Sequence, residues 1–255
     1  MKKTVFLFIS FIAMIYSSEP IDLSFHEASL YSQNGEDGVI AKMFQVIKPT
    51  SHFCVDLGAS DGITDSNTYL LRLQGWDGLL LDRSFEIPNY KLYKQFLTKW
   101  NINQLLEQYS IPAEFDLLSI DVETNSFHIW NALSEHYKPA VVIIDYNSSL
   151  PPNEDKVVEY HPFFCGDGTN YYGASILALF KLGQSKGYSL VHATANNLIF
   201  VYAPLLKEQD LSFKETNDVA KLYDRMAHLS PPRPPDLKNR SYLTSDLFLR
   251  EHGRR

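Results

Sequence analysis

Cysteine is scarce in this chain, with only two residues among 255. Two cysteines cannot build the multi-disulfide framework of a small secreted module or a four-cysteine zinc site. Cys54 lies in an apolar run and is predicted to be a small buried side chain, while Cys165 lies in a predicted loop. A Cys54–Cys165 disulfide is the less favoured alternative, because a strand interior and a loop need not come within bonding distance.

Basic residues are also in deficit, since 23 lysines and arginines face 30 aspartates and glutamates, for a formal net charge of −7. A nucleic-acid-binding surface needs an excess of positive charge, so nucleic acid is not an expected partner. Hydrophobic residues nevertheless make up 45% of the chain and charged residues 21%, which is typical of a folded globular protein.

Long hydrophobic runs are missing beyond the first residues. The run from Val5 to Tyr16 has about 12 residues, too few to span a bilayer, so no integral membrane span is expected in the mature chain. Lys2 and Lys3 precede this run and two serines follow it, a plan typical of a secretory signal. Residues 1–18 are therefore predicted to be a signal peptide, and the protein to be secreted or periplasmic. The alternative is a cytoplasmic protein that keeps an uncleaved hydrophobic N-terminal segment.

The rest of the chain divides into three parts. Residues 19–50 are predicted to form an arm and an amphipathic helix. Residues 51–204 alternate short apolar runs with helical patterns, which predicts one α/β domain. Its predicted elements include a short strand within 94–98 and a helix from Phe127 to Tyr137. Residues 205–255 form a polar tail, which is interrupted by prolines at 231–235 and is predicted to be partly disordered.

The stretch from Phe53 to Asp82 predicts a strand, a glycine turn, a helix and a second strand. The first strand ends at Asp56, Gly58-Ala-Ser-Asp-Gly62 turns sharply after it, and a leucine-rich strand leads to Asp82. The length, about 30 residues, is that of a parallel βαβ crossover. Its glycines and terminal carboxylate suit a nucleoside ligand, since the acid can accept hydrogen bonds from ribose hydroxyls.

Four predicted strands end in carboxylates, at Asp56, Asp82, Asp121 and Asp145. In a parallel sheet such ends share one edge, where ligands bind near the change in strand order. A helix followed by two adjacent strands closes the pattern and indicates a last strand that inserts antiparallel. The predicted fold class is therefore α/β, a three-layer Rossmann-like sandwich with a mostly parallel sheet and an antiparallel last strand.

The dinucleotide fingerprint Gly-x-Gly-x-x-Gly is missing from the turn after the first strand. Other short segments occur in a characteristic order: Tyr31-Ser-Gln-Asn-Gly-Glu-Asp37, Val55-Asp-Leu-Gly-Ala-Ser-Asp-Gly62, Ser66-Asn-Thr68, Gly75-Trp76, Gly78-Leu-Leu-Leu-Asp82 and Ser119-Ile-Asp-Val-Glu123. Together they resemble the FkbM-like methyltransferases over residues 31–202. The resemblance implies a class I Rossmann-like fold and S-adenosylmethionine as the cofactor.

The same resemblance implies the residues of a cofactor site. Asp56 and the Gly58–Gly62 turn would face the methionine end of S-adenosylmethionine, and Asp82 would hold ribose hydroxyls. Three departures from the family pattern are present: Asp82 stands where the family usually has glutamate, residues 83–98 are short for the elements that support an adenine pocket, and Thr124 stands where the family has glycine. The implied cofactor-binding residues are Asp56, Gly58, Ala59, Asp61, Gly62, Asn67 and Asp82.

The reaction implied is O-methylation of a saccharide or another small hydroxyl acceptor. A base near the acceptor hydroxyl promotes such a transfer, and the candidate catalytic residues are Asp121, Glu123 and Asp145, which follow neighbouring strands. Three carboxylates could alternatively hold a divalent cation, although no metal site is assigned. The long loop at 147–172 is typical of a lid or binding segment. Its candidate substrate-binding residues are Asn147, Asp167, Asn170 and Tyr171.

A competing hypothesis is an exported, non-catalytic Rossmann-like binding protein derived from a methyltransferase. A signal peptide would remove the protein from the cytosol, where S-adenosylmethionine is made. The short 83–98 region and Thr124 point the same way. Cofactor binding therefore separates the two hypotheses.

Overall fold

Seven strands form one sheet. In chain order they are β1 (Phe53–Leu57), β2 (Asp77–Asp82), β3 (Leu92–Lys94), β4 (Leu117–Ile120), β5 (Val141–Asp145), β6 (Tyr188–Ala193) and β7 (Asn197–Tyr202). Their spatial order is β3-β2-β1-β4-β5-β7-β6. Neighbours from β3 to β5 are parallel, and β7 lies antiparallel between β5 and β6. The predicted α/β Rossmann-like sandwich with an antiparallel last strand is thus confirmed.

The structure is a computed structural model that describes residues 19–226, 229 and 232–252. The predicted signal peptide at 1–18 lies outside these residues. Within them, no helix has the length and apolar character that a membrane crossing requires.

Helices cover both faces of the sheet because each strand sends alternate side chains into two separate cores. The helices are α1 (Glu36–Val46), α2 (Tyr69–Leu73), α3 (Ile102–Gln108), α4 (Ser126–Ala132), α5 (Ile176–Ser185), α6 (Ala203–Glu208), α7 (Val219–Met226) and α8 (Asp246–His252). Val55 and Leu57 pack on one face of the sheet with α3, α4 and α5, whereas Cys54 packs on the other face with α1 and α2, which gives three layers.

The two cysteines are free, with Cys54 buried and Cys165 exposed. The prediction of a buried Cys54 is confirmed, and the alternative of a Cys54–Cys165 disulfide is wrong. The strand carries Cys54 into the core beneath the sheet, while the long loop holds Cys165 at the surface.

The connection between β2 and β3 is short, as the sequence of 83–98 indicates. A single 3-10 turn, Pro88–Tyr90, occupies the place where a doubly wound sheet usually carries a crossover helix. The strand predicted within 94–98 is β3 and lies earlier in the chain. A second correction concerns β1, which continues through Leu57, so Asp56 lies inside the strand and not at its end.

The described part of the polar tail packs against the long loop. Leu243 and Val157 exchange backbone hydrogen bonds of 2.8 Å, and the Arg240 guanidinium pairs with Asp167 at 2.7 Å. Residues 232–252 therefore form a cover over the loop, while the partial disorder of the tail stays a prediction. The polar side chains of the tail find partners in the loop, and Phe248 packs against the main core.

His128 lies buried in α4. Its Nε2 is 2.8 Å from the Val158 carbonyl oxygen, and its ring packs against Tyr160 and Phe248. Burial disfavours the charged imidazolium and lowers the pKa of His128 from 6.5 to about 4. The folded protein therefore holds this ring neutral in mildly acidic solution.

We expect His128 to make the protein less stable as the pH falls. The unfolded chain binds a proton at His128 near pH 6.5, whereas the folded protein does not until about pH 4. The stability of the folded state therefore keeps its full value above pH 6.5 and declines as the pH falls below it. The loss between about pH 7 and about pH 5 amounts to ~2 kcal/mol, measured by urea unfolding. The His128→Gln variant should lose less unfolding free energy over this pH range than the parent loses. Replacement of the exposed His136 by Gln should leave the loss as large as in the parent. Equal losses in the parent and His128→Gln would contradict the assignment.

Candidate functional site

The carboxyl edge of the sheet borders an open cavity of about 350 Å³. Gly58, Asp82 and Asp121, which end or follow β1, β2 and β4, line it together with Phe96 and Phe164 from two loops. Small-molecule sites in proteins occupy about 300–1,000 Å³. The cavity includes the crevice between β1 and β4, where the strand order changes and where ligands bind in sheets of this kind.

Asp82 connects the two turns beside this cavity. Its Oδ2 accepts a hydrogen bond from the Ser60 amide at 3.0 Å, and its Oδ1 accepts from the Ser84 and Phe85 amides at 2.7 and 3.1 Å. An ionised carboxylate has about four acceptor positions. Asp82 thus has about one position left for a ligand hydroxyl, while it fixes the backbone on both sides.

The turn after β1 lies directly against the turn after β4. Gly58 has φ of +87°, and a Cβ atom placed on it would lie 1.9 Å from the carbonyl oxygen of Asp121. Ser60 and Glu123, which also line the cavity, have left-handed φ values of 49° and 48°. Such conformations cost energy in residues other than glycine and concentrate at ligand sites.

The other predicted cofactor-binding residues lie around this turn and do not line the cavity: Asp56, Ala59, Asp61, Gly62 and Asn67. Asp56 is buried and accepts a hydrogen bond from the Thr68 hydroxyl at 2.8 Å, and its burial raises its pKa. The Asn67 amide donates to the Ser119 hydroxyl at 3.3 Å. These side chains hold the turn in place, and their contact with a cofactor stays a prediction.

Asp121 lies where the first cavity meets a second one, and its side chain lines both. Protein surrounds it except on the open side of the cleft, and this desolvation, together with the nearby Asp56, raises the pKa of Asp121 to about 6. Solvent reaches Asp121 through the cleft. At neutral pH its carboxyl group is therefore mostly ionised and accessible to a ligand.

Glu123 also lines both cavities, but its charge is paired. Arg83 donates to the Glu123 carboxylate at 2.9 Å through Nη2 and to the Cys165 sulfur at 2.7 Å through Nη1. Both partners are solvent-exposed, so the energy of this pair is small. Its effect on the site is to neutralise Glu123 and to join the β2 turn to the long loop.

The second cavity has a volume of about 270 Å³ and lies beside the end of β5. Asp145 and Tyr146 line it from β5, and Tyr172 and Arg233 line it from the loop and the tail. Asp145 Oδ1 is buried and has no hydrogen-bond partner within the described residues. Burial and the neighbouring Asp121 raise the pKa of Asp145 well above its ordinary value.

The predicted substrate-binding residues line neither of the two cavities: Asn147, Asp167, Asn170 and Tyr171. Asn147 is fully buried and donates to the Asn170 and Tyr172 carbonyl oxygens at 2.8 and 2.7 Å. Asp167 pairs with Arg240, and the Tyr171 hydroxyl donates to the Ser241 carbonyl oxygen at 3.3 Å. The structure thus places these side chains in the contact between the loop and the tail.

Several cavity residues were not among the predicted ones, chiefly Arg83, Phe96, Cys165 and Arg233. Arg83 follows Asp82 directly, and that position next to a strand-end carboxylate was a usable signal. Arg233 lies in the proline-rich segment that the sequence marked as tail, and only the folded chain shows that it reaches β5. Gln33, from the arm before α1, also lines the second cavity.

Asp121, Glu123 and Asp145, the predicted catalytic residues, line the same second cavity. The alternative that these carboxylates hold a cation finds no support, because the described part of the chain contains no group of three metal-ligating side chains that could bind one. A scan against protein-family models and a search of curated proteins found no match for this chain. The resemblance to the FkbM-like methyltransferases therefore stays a prediction from its motifs.

Proposed function

We propose that the protein is an S-adenosylmethionine-dependent methyltransferase that acts on a hydroxyl group of a saccharide or another small acceptor. The observation that carries this proposal is the meeting of two cavities at Asp121 and Glu123, on the carboxyl edge of the sheet. Methyl transfer requires a donor and an acceptor held in line. Two adjoining cavities offer one place for each.

The first cavity has the chemistry that a nucleoside ligand needs. Asp82 supplies a carboxylate acceptor for a ribose hydroxyl, and Phe85 and Phe96 supply aromatic surface for a base. Gly58 and Ser60 bring backbone close to the same space. S-adenosylmethionine, when bound there, supplies an electrophilic methyl group.

Asp121 is the group best suited to take the proton of the acceptor hydroxyl. A pKa of about 6 leaves it ionised at neutral pH and keeps it more basic than an ordinary aspartate. Glu123 is a weaker candidate because Arg83 pairs with it at 2.9 Å. Asp145 is weaker as well, because its burial and the neighbouring Asp121 disfavour its ionised form more strongly than the surroundings of Asp121 disfavour the ionised form there.

One observation favours the alternative, a non-catalytic binding protein on the same fold. The Asp82 carboxylate already accepts three backbone hydrogen bonds, so it can hold one ribose hydroxyl but not a pair. A protein that had lost the cofactor could keep Asp82 for its structural bonds alone. Binding of S-adenosylhomocysteine, which the cofactor becomes after methyl transfer, decides between the methyltransferase and the binding protein.

S-adenosylhomocysteine is expected to stabilise the full chain. At a ligand concentration about 100 times the dissociation constant, the gain in unfolding free energy is about 2.7 kcal/mol. Thermal or urea unfolding with and without the ligand measures this gain. The gain should disappear in Asp82→Ala, because the ribose acceptor is lost.

A matched control comes from the other end of the same strand. Asp77 begins β2, pairs with Lys91 on the surface and does not line the cavity. Asp77→Ala should keep the full ligand-induced gain, whatever its effect on the ligand-free protein. If S-adenosylhomocysteine leaves the parent unchanged, the methyltransferase proposal fails and the binding-protein alternative takes its place.

A further inference from the structure

The second cavity is built by six separate parts of the chain. Gln33 comes from the arm, Asp121 from the turn after β4, Asp145 from β5, Asn197 from β7, Tyr172 from the long loop and Arg233 from the tail. Side chains from such distant positions converge here, and the cavity adjoins the first one through Asp121, Glu123 and Cys165. The arrangement gives a small polar ligand contacts on several sides.

Asp145 lines this cavity and carries an unsatisfied carboxylate oxygen. Its Oδ1 is buried without a hydrogen-bond partner among the described residues. Leaving a buried polar atom without a partner is unfavourable, and a ligand group that donates a hydrogen bond to this carboxylate offsets the cost. A hydroxyl group is such a donor.

Arg233 presents the complementary group. Its guanidinium carbon lies 3.9 Å from the centroid of the Tyr172 ring, and its backbone amide donates to the Ser149 hydroxyl at 2.9 Å. Stacking on an aromatic face fixes the plane of a guanidinium and leaves its N–H groups directed outward, where they suit a carboxylate or phosphate. Arg233 does not supply the missing partner of Asp145 Oδ1, so the two face the cavity without bonding across it.

The charges around the cavity leave room for a negative ligand. Arg83 neutralises Glu123 at 2.9 Å, and Asp145 has a strongly raised pKa. Arg233 is the cationic side chain that lines the cavity, and Asp121 is an anionic one. An anion bound on the Arg233 side therefore meets an attractive charge.

We infer that the second cavity binds a polyhydroxylated acceptor that carries one anionic group, with Arg233 paired to the anion and Asp145 hydrogen-bonded to a hydroxyl. The anion is a carboxylate or a phosphate, since both match a guanidinium fork. That this ligand is the methyl acceptor rests on the proposed function, whereas its chemical class follows from the residues that line the cavity.

The test is calorimetric titration of the full chain with three sugars that differ in charge: glucose, glucuronate and glucose 6-phosphate. At least one of the two anions should bind roughly tenfold more tightly than glucose. A preference for glucuronate or for the phosphate identifies the anion. Equal affinity for the three sugars, or no binding of any of them at about 10 mM, overturns the inference.

Variants of Arg233 test whether this side chain causes the tighter binding of anionic sugars. Arg233→Gln should lose this anion preference, and Arg233→Lys should keep only part of it, because lysine has the charge without the planar fork. Lys238→Gln removes the same charge from the same tail at a residue that pairs with Asp167 outside the cavity, and it should keep the full preference. Thermal unfolding of each variant shows that the tail remains folded. An anion preference that survives in a folded Arg233→Gln contradicts the inference.

S-adenosylhomocysteine separates this inference from the proposed function. If it binds while the sugars show no charge preference, the methyltransferase stands and this acceptor class falls. If it does not bind while Arg233 still selects an anionic sugar, the cavity assignment stands and the methyltransferase falls. The titrations are therefore run with and without it.

Discussion

Replacement of Gly58 by alanine is expected to destabilise the protein by about 2–5 kcal/mol. A left-handed conformation costs an alanine roughly 1–2 kcal/mol, and overpacking of a rigid site costs roughly 1–3 kcal/mol more. Here the new Cβ would lie 1.9 Å from the Asp121 carbonyl oxygen and 2.7 Å from its carbonyl carbon, both of which are backbone atoms. The turns after β1 and β4 would have to separate, and the floor of the first cavity would change with them.

Gly75 provides the matched control, because it has nearly the same positive φ and lacks the contact. It has φ of +91°, and an added Cβ would meet no atom within 4 Å. Gly75→Ala therefore measures the cost of the left-handed conformation alone, about 1–2 kcal/mol. Urea unfolding of both variants gives the difference due to Asp121. Equal losses of unfolding free energy in the Gly58 and Gly75 variants would show that the turns after β1 and β4 can separate at little cost.

The sheet could be predicted from the sequence because its central strands are buried on both faces. The strand β5, Val141–Asp145, has a continuous apolar run followed by an acid, and such runs are typical of strands buried on both faces, as in parallel sheets. The antiparallel β7 could be predicted as well, since it follows β6 after a short turn. Local sequence is sufficient where burial alone decides the structure.

Element ends were less predictable, because distant side chains determine them. The helix predicted from Phe127 to Tyr137 ends at Ala132. Asn103, on α3, donates to the Ala132 carbonyl oxygen at 2.9 Å and accepts from the Ser134 amide at 2.8 Å. This side chain takes over the hydrogen bonds that the next helical turn would have made. Nothing in the sequence near Ala132 shows it.

The carboxylates of the candidate site could be predicted, but their differences could not. Asp121 and Asp145 both follow apolar strands and look alike in the sequence. In the fold, Asp121 meets solvent in the cleft between two cavities, while Asp145 has a buried oxygen and a more strongly raised pKa. Arg233 enters the site only because the tail packs on the long loop. These distinctions arise from tertiary contacts.

Asp121→Asn is expected to lower kcat for methyl transfer by about 10²–10⁴-fold, if Asp121 is the general base. Asparagine has nearly the same shape but cannot accept the proton. In the parent, the rate should rise as the pH increases through about 6, where Asp121 loses its proton, and then level off. The variant should lose this dependence. Release of S-adenosylhomocysteine with an anionic sugar as acceptor measures both.

Two further variants test whether the loss of methyl transfer is specific to Asp121. Asp65 is exposed, lies outside both cavities and has φ of 54°, a conformation that asparagine tolerates, so Asp65→Asn should keep the parental rate and pH profile. Glu123→Gln should lower the rate less than Asp121→Asn, because Arg83 already neutralises Glu123. If Glu123→Gln lowers the rate more than Asp121→Asn does, and Asp121→Asn keeps the rise of the rate near pH 6, then Glu123 is the base. The Arg83 pair would then have to open when the acceptor binds, since a carboxylate held at 2.9 Å by a guanidinium is a poor proton acceptor.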